Sequence, residues 1–289
     1  MPNTIILPKG FTNALDEVYM KASVTSDLTC AANMVKAGAN AGEILYPQLS
    51  VTGLGDYDRN SGYTTGAVDL KWATAKCNYD RGTKISVDVM DNQESSVLAF
   101  SMAGAELMRT KVAPEGDAFT FATIAALEGI STMTGETFAD AVQFLEALIE
   151  AKNKMDEDEV PEENRILYAT PTLLNGVMAL DTTKSREILN CFSVKRSVPQ
   201  SRFYTAIDML DGKSEGEELG HYKKSETAAD INFMIIHKPA IMKYDKHVAN
   251  NIIPASMNAD ADADILKYRK YGLVDGYANK RAGIFMCTK

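Results

Sequence analysis

The chain has 289 residues, of which 45% are hydrophobic and 24% charged, a balance that supports a sizeable buried core and lies far from the low hydrophobicity of disordered chains. Its formal net charge of −9 argues against a dedicated nucleic-acid binder, because binding by counterion release needs clustered Lys and Arg to neutralise phosphates. At this length, one domain with excursions or two interleaved domains is expected.

Four cysteines, Cys30, Cys77, Cys191 and Cys287, lie far apart without a C-x-x-C pair, so reduced thiols are expected and not a disulfide framework or zinc site. The longest apolar runs, such as 231–236, fall well short of the ~20 residues that span a bilayer, and no membrane partner is expected.

The first 45 residues open with Ile5-Ile6-Leu7-Pro8 and continue into a small-residue stretch, which reads as an extended arm with at most a short helix around 13–21. From 49 to 90 the pattern is β. Leu49 and Val51 alternate with polar neighbours, Val68, Leu70 and Trp72 alternate with Asp69 and Lys71, and Ile85, Val87 and Val89 alternate with Lys84, Ser86 and Asp88. These are expected as half-buried strands. The polar, glycine-punctuated stretch 55–66 reads as the tip of a long excursion. A hairpin over 55–82 has arms of about 14 residues and reaches roughly 45 Å at ~3.3 Å per residue, too far to rest wholly on its own core.

Asp91 followed by Glu94 forms an Asx-type capping box, and Val97, Phe100, Ala105, Met108 and Val112 recur close to helical spacing, which predicts a helix over 92–110. Ala113-Pro114-Glu115 restarts the chain as a second helix, with proline in its first turn, Glu115 and Asp117 at its positive end and a largely buried 119–127. Thr134 is expected to cap a third helix whose apolar stripe is Phe138, Ala141, Val142, Leu145, Leu148 and Ile149, ending in Lys152 and Lys154. The acidic stretch 156–159 and Pro161 mark a loop. After it, 165–170 reads as a strand running into a helix capped by Thr170 with Pro171 first. Then follow an exposed loop over 213–226, a buried strand over 231–236, a mixed segment around 268–272 and a final strand over 283–287. The cadence is α+β, with no internal repeat.

Motifs of chemistry are weak. Gly212-Lys213-Ser214 lacks the earlier glycine of a phosphate loop, since Ile207 stands in its place. Asp260, Asp262 and Asp264 resemble the start of a calcium loop, but Ile265 occupies the turn-glycine position and Tyr271 that of the bidentate Glu, so an acidic helix start is the expected reading. His221, His237 and His247 show no metal-ligand or nucleophile-elbow spacing. Trp72 reads as a packing anchor on a strand face. Tyr57, Arg59 and Tyr63 at the tip are either a solvated loop or an interface anchor, residue types enriched where surfaces meet.

An ordered set of segments carries a resemblance over nearly the whole chain. It comprises Tyr63-x-x-Gly66-x-Val68 leading to Trp72, Asp80-Arg81-Gly82, the 85–89 strand with Asp88 and Asp91, and Glu94. It continues with Arg109-x-Lys111-Val112-x-Pro114-Glu115-x-Asp117-Ala118, Pro161-Glu162-x-x-Arg165-Ile166-Leu167-Tyr168-x-x-Pro171, and the closing 268–286. Together these resemble tailed-bacteriophage major capsid proteins of the Hong Kong 97 fold. The resemblance implies an N-terminal arm over 1–46 and strands with an extended E-loop over 47–90, its tip about 55–82. It further implies a P-domain with a spine helix over 91–130, an A-domain over 131–228 and a return to the P-domain over 229–289.

The same resemblance implies a structural protein without catalysis or cofactor, assembling as hexamers and pentamers of itself into an icosahedral shell. The shell would enclose phage dsDNA without binding it specifically, in a virion assembled in the host bacterial cytoplasm. Inter-subunit contacts are then expected at Tyr57, Arg59, Tyr63 and Trp72, and a portal is an expected partner. Two departures matter. The tip between Asp56 and Thr65 has no lysine, so the isopeptide cross-link of some members is not carried over. The chain begins almost directly in the arm, so a separate scaffolding protein is expected. An encapsulin-like compartment shell is the alternative, and an α+β enzyme with dispersed catalytic residues a third reading.

Overall fold

The computed structural model describes residues 23–30, 36–37, 43–60, 62–90, 104–217 and 220–289. Strand β1 (Lys36–Ala37) lies against the start of β2 (Glu43–Val51), which pairs antiparallel with β3 (Val68–Lys76) in unbroken register from Glu43↔Lys76 to Val51↔Val68. The chain then passes through Cys77 and Asn78 into β4 (Tyr79–Asp88), which leaves the hairpin for another sheet. The hairpin is therefore not centred as expected over 55–82. Asp58 and Gly62 exchange backbone hydrogen bonds of 3.2 and 2.7 Å, and Gly62 takes the left-handed φ of 81° that favours glycine, so the reversal falls at 58–62. Nine paired residues per arm give a finger of roughly 30 Å at ~3.3 Å per residue.

Residues 104–107 are helical and run without a break through a π-helical turn (Met108–Val112) into α1 (Ala113–Ala125); residues 92–103 of the expected helix lie outside the described residues. Pro114 does not restart the chain. Its missing N–H and its ring are incompatible with a regular helix interior, and the wider π-turn before it, closed by Ala113 N–H to the Met108 carbonyl, takes up the mismatch. Glu115 and Asp117 are consequently buried mid-helix and do not sit at a free helix end.

After β5 (Ser131–Met133) comes α2 (Ala141–Glu157), whose N-cap is Asp140 and not Thr134; its carboxylate accepts from Val142 N–H at 3.0 Å and Gln143 N–H at 2.9 Å. The helix buries Phe144, Leu145, Leu148, Ala151 and Met155, with Ala141 and Ile149 partly buried beside them, and leaves Val142 exposed. The helix also absorbs Asp156, expected in a loop. That carboxylate lies 2.7 Å from the guanidinium of Arg165, whose other donors go to the carbonyls of Val160 and Pro161, so this buried charge ties the following loop to the sheet.

Strand β6 (Arg165–Ala169) runs into α3 (Pro171–Leu180) as expected, followed by α4 (Thr183–Asn190), which opens on a Thr182–Ser185 capping box. Then come β7 (Val194–Ser197) and the small hairpin of β8 (Ile207–Met209) and β9 (Tyr222–Lys224), which places a strand inside the expected 213–226 loop. The remaining strands are β10 (Ile231–His237), β11 (Ile241–Ile253), β12 (Ala263–Gly276) and β13 (Ile284–Thr288). Asp264 belongs to β12 and accepts from Ala255 N–H at 2.9 Å, so the Asp260–264 segment does not begin a helix.

Two layers organise the body. A five-stranded sheet in the order β5-β13-β10-β6-β7 is covered on both faces. Leu167, Ala169, Phe233, Ile235 and Phe285 point to α2, α3 and α4, while Ile166, Tyr168, Met234, Ile236 and Met286 meet Phe121 and Ile124 of α1. Burial on both sides explains why β10 is apolar at nearly every position instead of alternating. Between β10 and β13 the chain makes one long excursion, the β11-β12 ribbon, with β4 on the other edge of β12. Met108 and Val112 of the π-turn pack on Leu266 and Tyr268 of that ribbon, so a single helical rod braces both layers.

Phe144→Ala removes a fully buried ring that packs edge-on against Phe233 at 5.5 Å. Urea denaturation of this variant is expected to show a loss of about 3–5 kcal/mol.

Candidate functional site

The finger has two unlike faces. Directly opposed residues share a face, so Ile44/Ala75, Tyr46/Ala73, Gln48/Lys71 and Ser50/Asp69 form one, and Pro47/Trp72, Leu49/Leu70 and Val51/Val68 belong to the other. At the root the first face is buried, with Ile44, Tyr46 and Ala75 against Met242 and Leu273 of the ribbon and Tyr46 edge-on to Tyr277 at 5.2 Å. Farther out that face is polar, with Lys71 and Asp69 paired at 2.5 Å. The second face carries the apolar row into solvent: Leu49, Val51, Val68, Leu70 and Trp72 are 51–68% exposed. The expectation of half-buried strands therefore fails on the finger, because the body covers only its root.

Eight of the thirteen exposed large hydrophobic side chains among the described residues lie between Leu49 and Trp72, a concentration of apolar surface that single scattered exposures do not produce. At the tip Tyr57 and Tyr63 meet edge-on with ring centroids 4.9 Å apart, and Arg59 stands exposed in the turn between them. The structure thus brings Tyr57, Arg59 and Tyr63 together and leaves Trp72 farther down the ladder, opposite Pro47. Gly55 allows the tip to close, since a Cβ there would collide with the Thr64 side chain.

A second surface is the anchorage of residues 23–30. Asp117, fully buried in α1, accepts from Ser23 Oγ at 2.8 Å, Val24 N–H at 3.1 Å, Thr25 N–H at 3.2 Å and Thr25 Oγ1 at 2.7 Å, and pairs with Arg202 Nη1 at 3.0 Å. Lys243 of β11, also buried, donates to Thr25 Oγ1 at 2.6 Å and to the Thr25 carbonyl at 3.1 Å. Burial and the neighbouring Lys270 push this ammonium down to about 8, against the pull of Asp117, Asp245 and Asp27. Leu28 seals the anchorage in the core, and Asp27 pairs with Arg196 at 2.6 Å. These roles were not apparent in the sequence, where Asp117 and Thr25 stand 92 positions apart.

Two residues before Asp117, on the other side of the helix, Glu115 accepts from Tyr79 Oη at 3.1 Å and Arg81 Nε at 2.8 Å, with His221 Nδ1 at 3.5 Å. Burial raises its carboxyl, but the nearby His221 and the Arg81 and Tyr79 donors outweigh that and hold it below the usual carboxylate range. A cleft of about 350 Å³ opens here between β4, the π-turn and the 211–221 loop. Gly212 and Lys213 line it, and the Gly212-Lys213-Ser214 turn forms no phosphate cradle: the Lys213 and Ser214 amides both donate to Asp211 Oδ1, at 2.7 and 2.8 Å. Among the described residues no cluster of His, Cys, Asp or Glu is arranged to hold a metal ion.

A braced helical rod, a doubly covered α+β sheet, a long ribbon and a projecting finger together constitute the Hong Kong 97 capsid fold. Solved capsids of that architecture superpose on most of this chain. The capsid of the cyanophage P-SCSP1u matches with a TM-score of 0.60 at 13% identity, covering 92% of this chain and 88% of that one. The mature capsid of bacteriophage PhiM1 matches with a TM-score of 0.61 at 12% identity, covering 92% and 86%. A virus-like particle from Pyrococcus furiosus matches with a TM-score of 0.56 at 10% identity, covering 96% and 98%. No protein-family profile matches the chain, and no curated protein matches it in sequence.

Asp117→Ala removes the carboxylate that pairs with Arg202 Nη1 and accepts from the amides of Val24 and Thr25. A loss on the order of 3–5 kcal/mol is expected, with residues 23–30 exchanging amide hydrogens faster than the sheet. Lys243 has a separate pH signature. Its folded pKa of about 8 lies below its ordinary 10.5, so between those values the unfolded chain binds the extra proton and stability rises with pH. Denaturation midpoints across that window should climb in the native chain and lose this contribution in Lys243→Met.

Proposed function

We propose that this chain is a major capsid protein, a structural subunit that packs against copies of itself, as pentamers and hexamers, into an icosahedral shell around phage dsDNA. The observation that carries this reading is the exposed apolar ladder of the finger, set on a body with the Hong Kong 97 capsid fold. A two-stranded hairpin is marginal in water on its own, and covering five half-exposed apolar side chains contributes on the order of 5 kcal/mol before the costs of association. In this reading 1–46 is the arm, 47–90 includes the E-loop finger, 91–130 and 229–289 make the P-domain, and 131–228 makes the A-domain. Interfaces of the obligate kind, roughly 2,000–5,000 Å² each, follow from a finger and an arm laid across neighbours.

Tyr57, Arg59, Tyr63 and Trp72 are assigned to inter-subunit contact and the chain is given no catalytic role. Its acidic balance suits a wall that encloses DNA without adhering to it. Scaffolding and portal proteins are proposed partners, and the host bacterial cytoplasm is the proposed place of assembly.

The likeness to the Pyrococcus furiosus particle, which extends over 98% of that chain, favours a second reading in which the shell has other contents. Nuclease-protected dsDNA in purified particles supports the phage reading, and a bound protein cargo supports the other.

Deleting residues 56–65, or making Trp72→Ala, is expected to leave circular dichroism and thermal unfolding of the subunit unchanged. Rings and shells should be lost in sedimentation and electron microscopy, with Trp72→Ala costing about 2 kcal/mol or more per contact. Unchanged particle yield from the deletion would remove the finger as an interface, and a native chain that stays monomeric and folded would overturn the assembly reading.

A further inference from the structure

The cleft beside the finger root has an unbalanced charge. Its acids are committed, Glu115 to Tyr79 and Arg81, and Asp211 to the amides and hydroxyl of its own turn. Lys84, Lys111 and Lys213 line the same cleft, are exposed, and make no ion pair among the described residues. The finger tip has the opposite bias: Asp56 and Asp58 flank Tyr57, with Arg59 as the one cation between residues 52 and 67; Asp58 Oδ1 accepts from Asn60 N–H in its own turn, which leaves Asp56 as the leading carboxylate. A cleft of about 350 Å³ falls in the ~300–1,000 Å³ range of pockets that enclose a group of side-chain to small-ligand size.

Position supplies the second argument. Tyr79, on the cleft wall, follows the last finger residue, Lys76, by only three positions, whereas the tip lies beyond nine paired residues, roughly 30 Å away. Among the described residues, none from the tip lines the cleft of its own chain. A contact between tip and cleft therefore requires two copies, and such a tip-to-root contact is head-to-tail, the kind that closes into rings. We infer that the Asp56-Tyr57-Asp58 turn of one copy seats in this cleft of the next, its carboxylates against Lys84, Lys111 and Lys213 and its tyrosine pair over Arg81. The inference rests on the assembly reading above and adds the receiving surface.

Particles grown from isotopically light and heavy subunits, treated with a zero-length carbodiimide coupler and digested for mass spectrometry, test it directly. Mixed light–heavy peptides joining Asp56 or Asp58 to Lys84, Lys111 or Lys213 are expected. Tip acids joined instead to other lysines in intact particles would overturn the docking site and leave the assembly reading standing, whereas a native chain that forms no particles overturns both. Charge reversal gives an independent readout. Lys84→Glu with Lys213→Glu should lower particle yield about tenfold while leaving the subunit melt unchanged, and adding Asp56→Lys should restore it. Undiminished yield in the double variant, or no recovery in the triple, overturns the docking site.

Discussion

A two-stranded ribbon has two faces, and a body beside it reaches only the part near its root. That constraint governs the molecule. The root of the finger satisfies it by turning Ile44, Tyr46 and Ala75 onto Met242 and Leu273. Beyond the body the same face becomes polar while the opposite face becomes apolar, with Leu49, Val51, Val68, Leu70 and Trp72 in solvent. The change of side along one hairpin separates two tasks: one face attaches the finger, and the other is available to something else.

The body is built to hold that projection steady. One helical rod touches the ribbon through Met108 and Val112 and the doubly covered sheet through Phe121 and Ile124. Its two buried carboxylates bind in opposite directions, Asp117 to residues 23–25 and Arg202, Glu115 to β4 through Tyr79 and Arg81. Partnered as they are, these groups fix where two chain excursions leave the body, which an apolar contact of similar area would specify less sharply. The π-turn before Pro114 belongs to the same device, since it lets the rod continue past a residue that would otherwise end it.

How much was legible in the sequence follows from how local each signal is. The β6–Pro171 junction, the apolar β10 and the closing β13 were readable because punctuation and burial pattern lie within a few residues. The finger's register was not, because it depends on which of several glycines takes the reversal, and Gly62 does. Alternation located the apolar row and could not say whether anything covers it, which is why the ladder was expected to be half-buried. The ribbon strand β11 carries Lys243, Asp245, Lys246 and His247 in one run and gives almost no apolar signal, since its middle is held by pairing with β12. Tyr57, Arg59 and Tyr63 drew notice as residue types, but their clustering required the turn, and the Asp117 anchorage required contacts across 92 positions.

The finger beyond its root also contributes nothing to either main core cluster, whose members all come from the sheet, the helices and the segments packed on them. Folding of the subunit and competence of the finger are therefore separable traits. For a chain that assembles as proposed, a copy with a damaged finger would still fold, survive proteolysis and compete for places beside intact copies. Such a copy interrupts every ring it joins, so a minority of defective chains in a mixed population would poison the majority, a dominance that a merely misfolded variant would lack.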